Sequence, residues 1–226
     1  MFTVGPALFG GRATDPNIGL VAILLHGDGA DNSTTFTDSS TYARTVTGAG
    51  SAKLATEQSV FGGACLDFTA AGDEARVEIA GASTLRITGD FAIEFRLRMT
   101  SVAAGIYFLL SDDATQDIYF YTSASGKIGY YCMGNARNDK ATVATNTWYD
   151  FKLRRSGTTI TFEQDGSQVD TFNSSNDQTG SPSWKVGAMP AYAGANTGGR
   201  CWIDELRLTI GDARSATVAT EAFPDP

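Results

Sequence analysis

An all-β fold of two antiparallel sheets packed face to face is predicted by three observations. Apolar and polar residues alternate at period two through many short segments, Gly, Ser and Thr crowd the boundaries between them, and no segment keeps a helical period beyond about two turns. The 226 residues are 42% hydrophobic and 19% charged, enough apolar mass for one core, and no long polar linker divides the chain. The expected organisation is an arm over residues 1–18, a single sandwich over 19–212 and a tail over 213–226.

The arm carries Pro6 and Pro16 and no sustained periodicity. From Leu20 to Leu25 the chain is unbrokenly apolar, the pattern of a strand buried on both faces. A polar loop with Asp28, Asp31 and Asp38 follows, interrupted by Phe36, which should pack beneath it. Arg44 to Thr47 and Ser51 to Leu54 flank Gly48-Ala49-Gly50 and read as a short hairpin. Leu66 and Phe68 share a face, as do Ala75, Val77 and Ile79.

Phe91 to Met99 is the clearest strand, with Glu94, Arg96 and Arg98 on a face expected to meet solvent or a polar interface. Ile106 to Leu110, Ile118 to Tyr121 and Lys127 to Met133 continue as a meander. Trp148 to Arg155, Thr159 to Gln164 and Ser167 to Phe172 are joined by Ser156-Gly157-Thr158 and Asp165-Gly166, the second a strong hairpin signal. Ser183 to Gly187 adds a strand. In the last segment Leu206, Leu208 and Ile210 alternate with Arg207 and Thr209. Carried backwards, that alternation puts Asp204 in the core and Ile203 in water, so Asp204-Glu205 reads as a bulge that re-aims Asp204 toward a partner. Roughly twelve to fourteen strands suit a large jelly roll. Pro224 and Pro226 keep the tail out of a central sheet.

A net charge of −8 argues against a nucleic-acid groove, which needs clustered cations, and Lys152, Arg154 and Arg155 read as a solvated strand face. The longest apolar run is too short to span a bilayer, and the first residues lack a secretory leader pattern, so synthesis is expected in the cytoplasm. Cys65, Cys132 and Cys201 are odd in number and widely spaced, which indicates reduced thiols and no zinc knuckle. His26, the sole histidine, beside a turn, suggests no nucleophilic triad. Tyr119, Tyr121, Tyr130 and Tyr131 with Asn135 and Asn138, together with Trp184 and Tyr192, could supply a sugar platform. The same alternation also fits strand core and sheet cover.

Five blocks in order, LLHGDG, FGGACLDF, ITGDFAIEFRLR, WYDFKLRRSGTTITFEQDGSQV and IDELRL, resemble the concanavalin A-like or laminin G-like jelly rolls, particularly those of bacteriophage particle proteins. The resemblance covers about residues 20 to 211. It implies a non-enzymatic virion protein, a capsid decoration or tail component, made in the bacterial cytoplasm. Other virion proteins, or further copies of the chain in a homo-oligomer, would meet its arm and tail. The alternative it implies is a carbohydrate-binding or receptor-adhesion domain.

Relatives of this fold hold a calcium ion between residues that correspond to Asp28 and Asp204, with Asp31 close in sequence; Ca²⁺ needs six to eight oxygens. The competing reading gives Asp28 and Asp31 to local turns and Asp204 to backbone N–H groups. Enzymatic relatives carry carboxylates in a pattern like E-x-D-x-x-E, which this chain lacks, so no glycosidase is expected. Where the family commonly has Trp, this chain has Arg96.

Overall fold

The computed structural model describes residues 15–70, 74–112, 117–189, 200–214 and 218–226. Most of the arm, the loop at 190–199 and Tyr192 lie outside the described residues. In chain order the strands are β1 (Val21–Leu25), β2 (Val46–Ala49), β3 (Lys53–Ala55), β4 (Cys65–Asp67), β5 (Arg76–Ile79), β6 (Phe91–Met99), β7 (Tyr107–Asp112), β8 (Ile118–Thr122), β9 (Ile128–Cys132), β10 (Asn135–Ala141), β11 (Trp148–Ser156), β12 (Thr159–Gln164), β13 (Ser167–Asn173), β14 (Ser183–Gly187) and β15 (Cys201–Ile210). Sheet A has the order β13-β12-β11-β6-β15-β4-β3, with β1 also on β15; sheet B has the order β10-β9-β8-β7-β14-β5-β2. All pairings are antiparallel, as expected of a jelly-roll sandwich.

The core fills the space between the sheets. Phe95 of β6 packs edge-on against Phe120 of β8 at 5.1 Å and beside Phe151 of β11 at 5.6 Å, so both sheets meet at one aromatic centre. At the open edges, Arg137 of β10 forms a two-pronged pair with Asp170 of β13, through Nε at 2.7 Å and Nη2 at 2.6 Å. The Tyr130 hydroxyl donates to the same carboxylate at 2.9 Å. That clasp ties one sheet to the other where no backbone ladder can.

β15 organises sheet A. β6 pairs with it along one side, and its other side is shared by β4, against Trp202 and Ile203, and β1, against Leu206 to Thr209. The change of neighbour falls at the expected bulge: register slips between Asp204 and Arg207, and Glu205 takes φ 53°. The extra residue lets Cys201, Ile203, Leu206 and Leu208 all face the core while Trp202, Asp204, Arg207 and Thr209 face away. β1 is buried along its whole length, as its apolar run implies.

Two expectations fail here, and a third is decided between its alternatives. The segments around Gly48-Ala49-Gly50 form no hairpin: β2 joins β5 in sheet B and β3 joins β4 in sheet A. Gly50, at φ 59°, is the corner at which the chain changes sheets, and local turn chemistry cannot tell such a corner from a hairpin. The outward face of β6 meets the polar interface, not the solvent, of its two expected surroundings. Glu94 is buried and pairs with Lys152 at 3.0 Å, and Arg214 Nε reaches its other oxygen at 2.6 Å. The basic run of β11 is no solvated face either, since Lys152 is buried in that pair and Arg155 turns inward, its guanidinium bonded to the Gly89 and Asn176 carbonyls and to Asp177.

The cover over sheet A is the chain's own tail. Phe223 is buried against Val21, Leu24, Ile18 and Ala219, its N–H donates to Glu205 at 2.8 Å, and the Ala219 carbonyl accepts from Arg96. Asp15 completes the cover, pairing with the fully buried Arg207 at 2.5 Å and with Arg214 at 2.7 Å. The tail therefore docks in cis, where assembly contacts were expected of it. Burying one phenylalanine is worth about 2 kcal/mol, and the polar contacts around it direct where the strap lies. Arg96 lies 4.5 Å over the Phe61 ring and contributes both a flat surface and a donor to the tail.

Candidate functional site

The outward face of sheet B carries a group of half-exposed aromatic side chains. β8 alternates strictly: Ile118, Phe120 and Thr122 are buried while Tyr119 and Tyr121 stand half-exposed on the other side. β9 adds Tyr131 and β7 adds Tyr107, also half-exposed. The rings form a ladder. Tyr119 and Tyr131 are parallel, 5.0 Å apart and 5° off plane; Tyr107 and Tyr121 stack at 5.5 Å; Tyr119 bridges the two pairs at 5.7 and 5.9 Å.

Gly129, the cross-strand partner of Tyr121, leaves room for that ring, since a Cβ there would lie 2.9 Å from its Cζ and 3.1 Å from the Arg137 carbonyl oxygen. The Tyr121 hydroxyl donates to Asn138 Oδ1. Burial, reinforced by the neighbouring phenols, pushes the Tyr119 hydroxyl up to about 12, and burial raises Tyr121 too. Tyr119 and Tyr121 therefore keep their hydroxyls protonated at physiological pH, able to donate as well as accept.

Of the sequence candidates for a sugar platform, Tyr119, Tyr121 and Tyr131 meet on this face and Asn138 touches it. Tyr130 and Trp184 do not. Both are core residues, fully buried with Phe120, Phe162 and Val186, because each sits at the inward position of its strand's alternation. Asn135 instead closes the β9–β10 turn, donating to the Met133 carbonyl at 3.0 Å. Tyr107 was missed by sequence reasoning. Its strand reads as continuously apolar, and a register slip between Tyr107 and Leu109 hides the alternation that would have assigned it a face.

A second cluster gathers where the bulge, the first acidic turn and the tail meet. His26 Nδ1 donates to Glu205 at 2.9 Å and Nε2 to Asp225 at 3.0 Å. Burial alone would lower the imidazole, but the two carboxylates outweigh it and hold its pKa at about 9. Asp204 accepts the Val60 and Phe61 N–H groups at 2.6 and 3.1 Å through one oxygen; the other has no hydrogen-bond partner. Burial outweighs those two donors and raises Asp204 to about 7, with Glu205 and Asp28 adding to the rise. Burial raises Asp28 as well.

Asp31 is turned to local work, accepting from the Thr56 N–H at 3.2 Å and from Asn32 at 2.7 Å. Asp28, Asp31 and Asp204 therefore make no three-carboxylate cradle. Among the described residues no group of three His, Cys, Asp or Glu side chains is arranged to hold a metal ion, and this donor set does not fit the calcium that the fold family implies. The bulge does aim Asp204 at a partner, and that partner is backbone.

Two cavities lie away from the tyrosines. One of about 550 Å³ opens beneath the tail, beside Asp15, Glu94, Arg214 and Phe223, and one of about 260 Å³ opens beside His26, Asp28 and Phe36. Both are bounded by the tail.

A family model of laminin G type, described as the concanavalin A-like lectin/glucanases superfamily, matches residues 71–217. The chain belongs to this superfamily. No curated protein matches it in sequence. Similar solved structures include the receptor-binding domain of botulinum neurotoxin D, with TM-score 0.64 and 11% identity over 88% of this chain and 51% of that one. Another, of botulinum neurotoxin type C and titled for its dependence on two ganglioside molecules, has TM-score 0.63 and 12% identity over 88% and 50%. A third, the binding domain of botulinum neurotoxin DC in complex with rat synaptotagmin II, has TM-score 0.64 and 12% identity over 88% and 50%. The chain spans about half the length of these structures. At such identity the likeness speaks for the concanavalin A-like fold.

Proposed function

We propose that this superfamily member is a non-catalytic carbohydrate-binding module whose binding face is the outward side of sheet B. The observation that carries the reading is the ladder of Tyr107, Tyr119, Tyr121 and Tyr131, four half-exposed phenols with ring centroids 5.0 to 5.9 Å apart, stacked in two pairs and tilted between them. Sugar recognition combines apolar contact against aromatic rings with hydrogen bonds from a few fixed polar groups, and the ladder supplies both. The ganglioside and synaptotagmin named in the titles of similar structures support a receptor-facing role of this general kind.

A glycan array probed with the full chain tests the reading. Specific binding that falls at least tenfold in Tyr119→Ala and Tyr131→Ala, with melting temperatures within a few degrees of the parent, is the expected result. An array without signal sinks it. The finer placement in a phage virion has the sequence resemblance behind it, and with the tail docked in cis the arm becomes the segment to test. Co-sedimentation of the chain with intact particles, lost on deleting residues 1–14, would support that placement.

A further inference from the structure

Two separate apolar clusters lie on the outward face of sheet A. One, beneath the tail, joins Phe223 to Val21 and Leu24. The other, toward the start of β15, gathers Ala55, Cys65 and Trp202, with Trp148 packed against it. Register makes Trp148 of β11, Arg98 of β6 and Trp202 of β15 immediate neighbours, so the arginine has an indole position on either flank. Its guanidinium lies 4.9 Å over the Trp202 ring, and both Arg98 and Trp148 are partly exposed.

A cation–π contact uses the flat face of a guanidinium and leaves its in-plane N–H groups unspent. Every other described arginine but Arg200 donates to or pairs with a carbonyl or carboxylate. Among the described residues Arg98 and Arg200 have no such acceptor, and Arg200 Nε and Trp202 Nε1 are buried without one. Thr100 gives its N–H and its hydroxyl to the Arg200 carbonyl, at 2.8 and 2.9 Å, which makes Arg200 a diagonal neighbour of Arg98 across the β6–β15 ladder. Asp67, opposite Trp202 on β4, is already engaged: it accepts the Thr69 N–H at 2.8 Å and lies 3.9 Å from Lys53. Two guanidiniums and an indole N–H therefore converge as donors beside an occupied carboxylate. A sugar hydroxyl donates as well as accepts and would ask for an acceptor here, whereas a carboxylate only accepts.

We propose that this end of sheet A docks an acidic peptide segment of a partner protein. One Asp or Glu carboxylate meets the fork of Arg98, with Arg200 beside it, in the two-pronged geometry that guanidinium and carboxylate share. An apolar side chain next to that carboxylate lies on the Trp148 ring. The chain's net charge of −8 repels a long acidic run, so the segment carries one or two carboxylates among apolar residues. Arginine and tryptophan are the residues on which interface affinity concentrates. The site lies on the sheet opposite the tyrosine ladder and does not depend on the carbohydrate reading.

Panning a displayed library of random dodecapeptides on the full chain tests this. Tryptophan emission is the second readout, since two of the three tryptophans lie here. Enriched peptides should carry Asp or Glu beside Leu, Phe or Tyr and, once synthesised, should shift that emission. Their affinity should fall at least tenfold in Arg98→Gln, severalfold in Trp148→Ala and not at all in Tyr131→Ala. Arg98→Lys keeps the charge and loses the flat fork, so it should lose most of the affinity at the parent's melting temperature, a loss that misfolding does not explain. Enrichment without acidic residues, no enrichment beyond that on an Arg98→Gln bait, or peptides that bind the Arg98 variants as tightly as the parent overturns the proposal. Acidic sugars bound through Arg98 on the glycan array, with no peptide enriched, overturn it too and give the site to an anionic glycan.

Discussion

Raising the pH should loosen the clasp that holds the tail. His26 sits between Glu205, which is buried, and Asp225, which is 62% exposed, and its pKa stands near 9 against an ordinary 6.5. A histidine raised in the folded state contributes stability that is complete below its unfolded pKa and drains away as pH climbs toward its folded one. At about 1.4 kcal/mol per pKa unit, the window from pH 6 to 8.5 would cost up to about 2.7 kcal/mol, and solvent screening of Asp225 brings the expectation to about 2 kcal/mol.

Asp204 titrates within the same window. Its raised pKa of about 7 makes stability fall with rising pH up to neutrality, but that loss is common to the parent and a His26 variant. The buried thiols, which burial keeps neutral in the folded state, limit the window above, because unfolded cysteines begin to ionise near pH 8.5. Urea unfolding followed by tryptophan fluorescence at half-unit steps, for the parent and His26→Gln, isolates the effect. The variant should be about 3 kcal/mol less stable at pH 6, since Glu205 is left buried without its cation. That gap should close by about 2 kcal/mol at pH 8.5. A constant gap across the window would refute the linkage.

Phe223→Ala should free the tail at a cost of about 2 kcal/mol, read as faster limited proteolysis after residue 214 with the sandwich still folded. Glu94→Ala removes the buried carboxylate that Lys152 and Arg214 share beneath that tail, and about 3 kcal/mol of stability should go with it; a loss below about 1 kcal/mol would mean that water reaches the network freely. Gly129→Val should push the Tyr121 ring off its place, lowering glycan affinity severalfold for about 1 kcal/mol of stability. Calcium added to chelator-treated protein should leave the melting temperature unchanged. A rise of several degrees, abolished in Asp204→Asn, would instead assign a cation to the unpartnered Asp204 oxygen.

Strand positions were legible in the sequence wherever one face of a strand is core and the other is not. The run from Phe91 to Met99, the Asp165-Gly166 turn and the slip at Asp204-Glu205 all carry local signals strong enough to survive folding. Pairing was less legible. Whether the segments flanking Gly50 share a sheet depends on partners elsewhere in the chain, in β5 for one segment and β4 for the other, and turn residues carry no information about them. The fate of the outward charges on β6 was hidden for a related reason. Their cover is assembled from Asp15, Arg214 and Phe223, residues that look unremarkable in a Pro-bounded tail and a Gly-rich arm.

Half of the candidate site was open to parity alone. Adjacent strand residues point to opposite faces, so Tyr130 and Tyr131 cannot share a platform, and Ile128, Tyr130 and Cys132 alternate as a core triplet. Trp184 and Val186 around Lys185 make the same point. Tyr107 could not be sorted this way because the slip beside it breaks the count, and the tyrosine ladder emerges only once register has fixed which residue lies opposite which.

The left-handed residue at Glu205 has a consequence for comparing relatives. β15 is two half-strands of opposite phase joined by one surplus residue, so a relative without that surplus aligns with either Ile203 or Leu206 in phase and the other half reversed. A correct alignment must open a single-residue gap inside a strand, the place where gaps are penalised most heavily. Kinship in this superfamily is therefore better traced by which residues face inward than by which letters coincide.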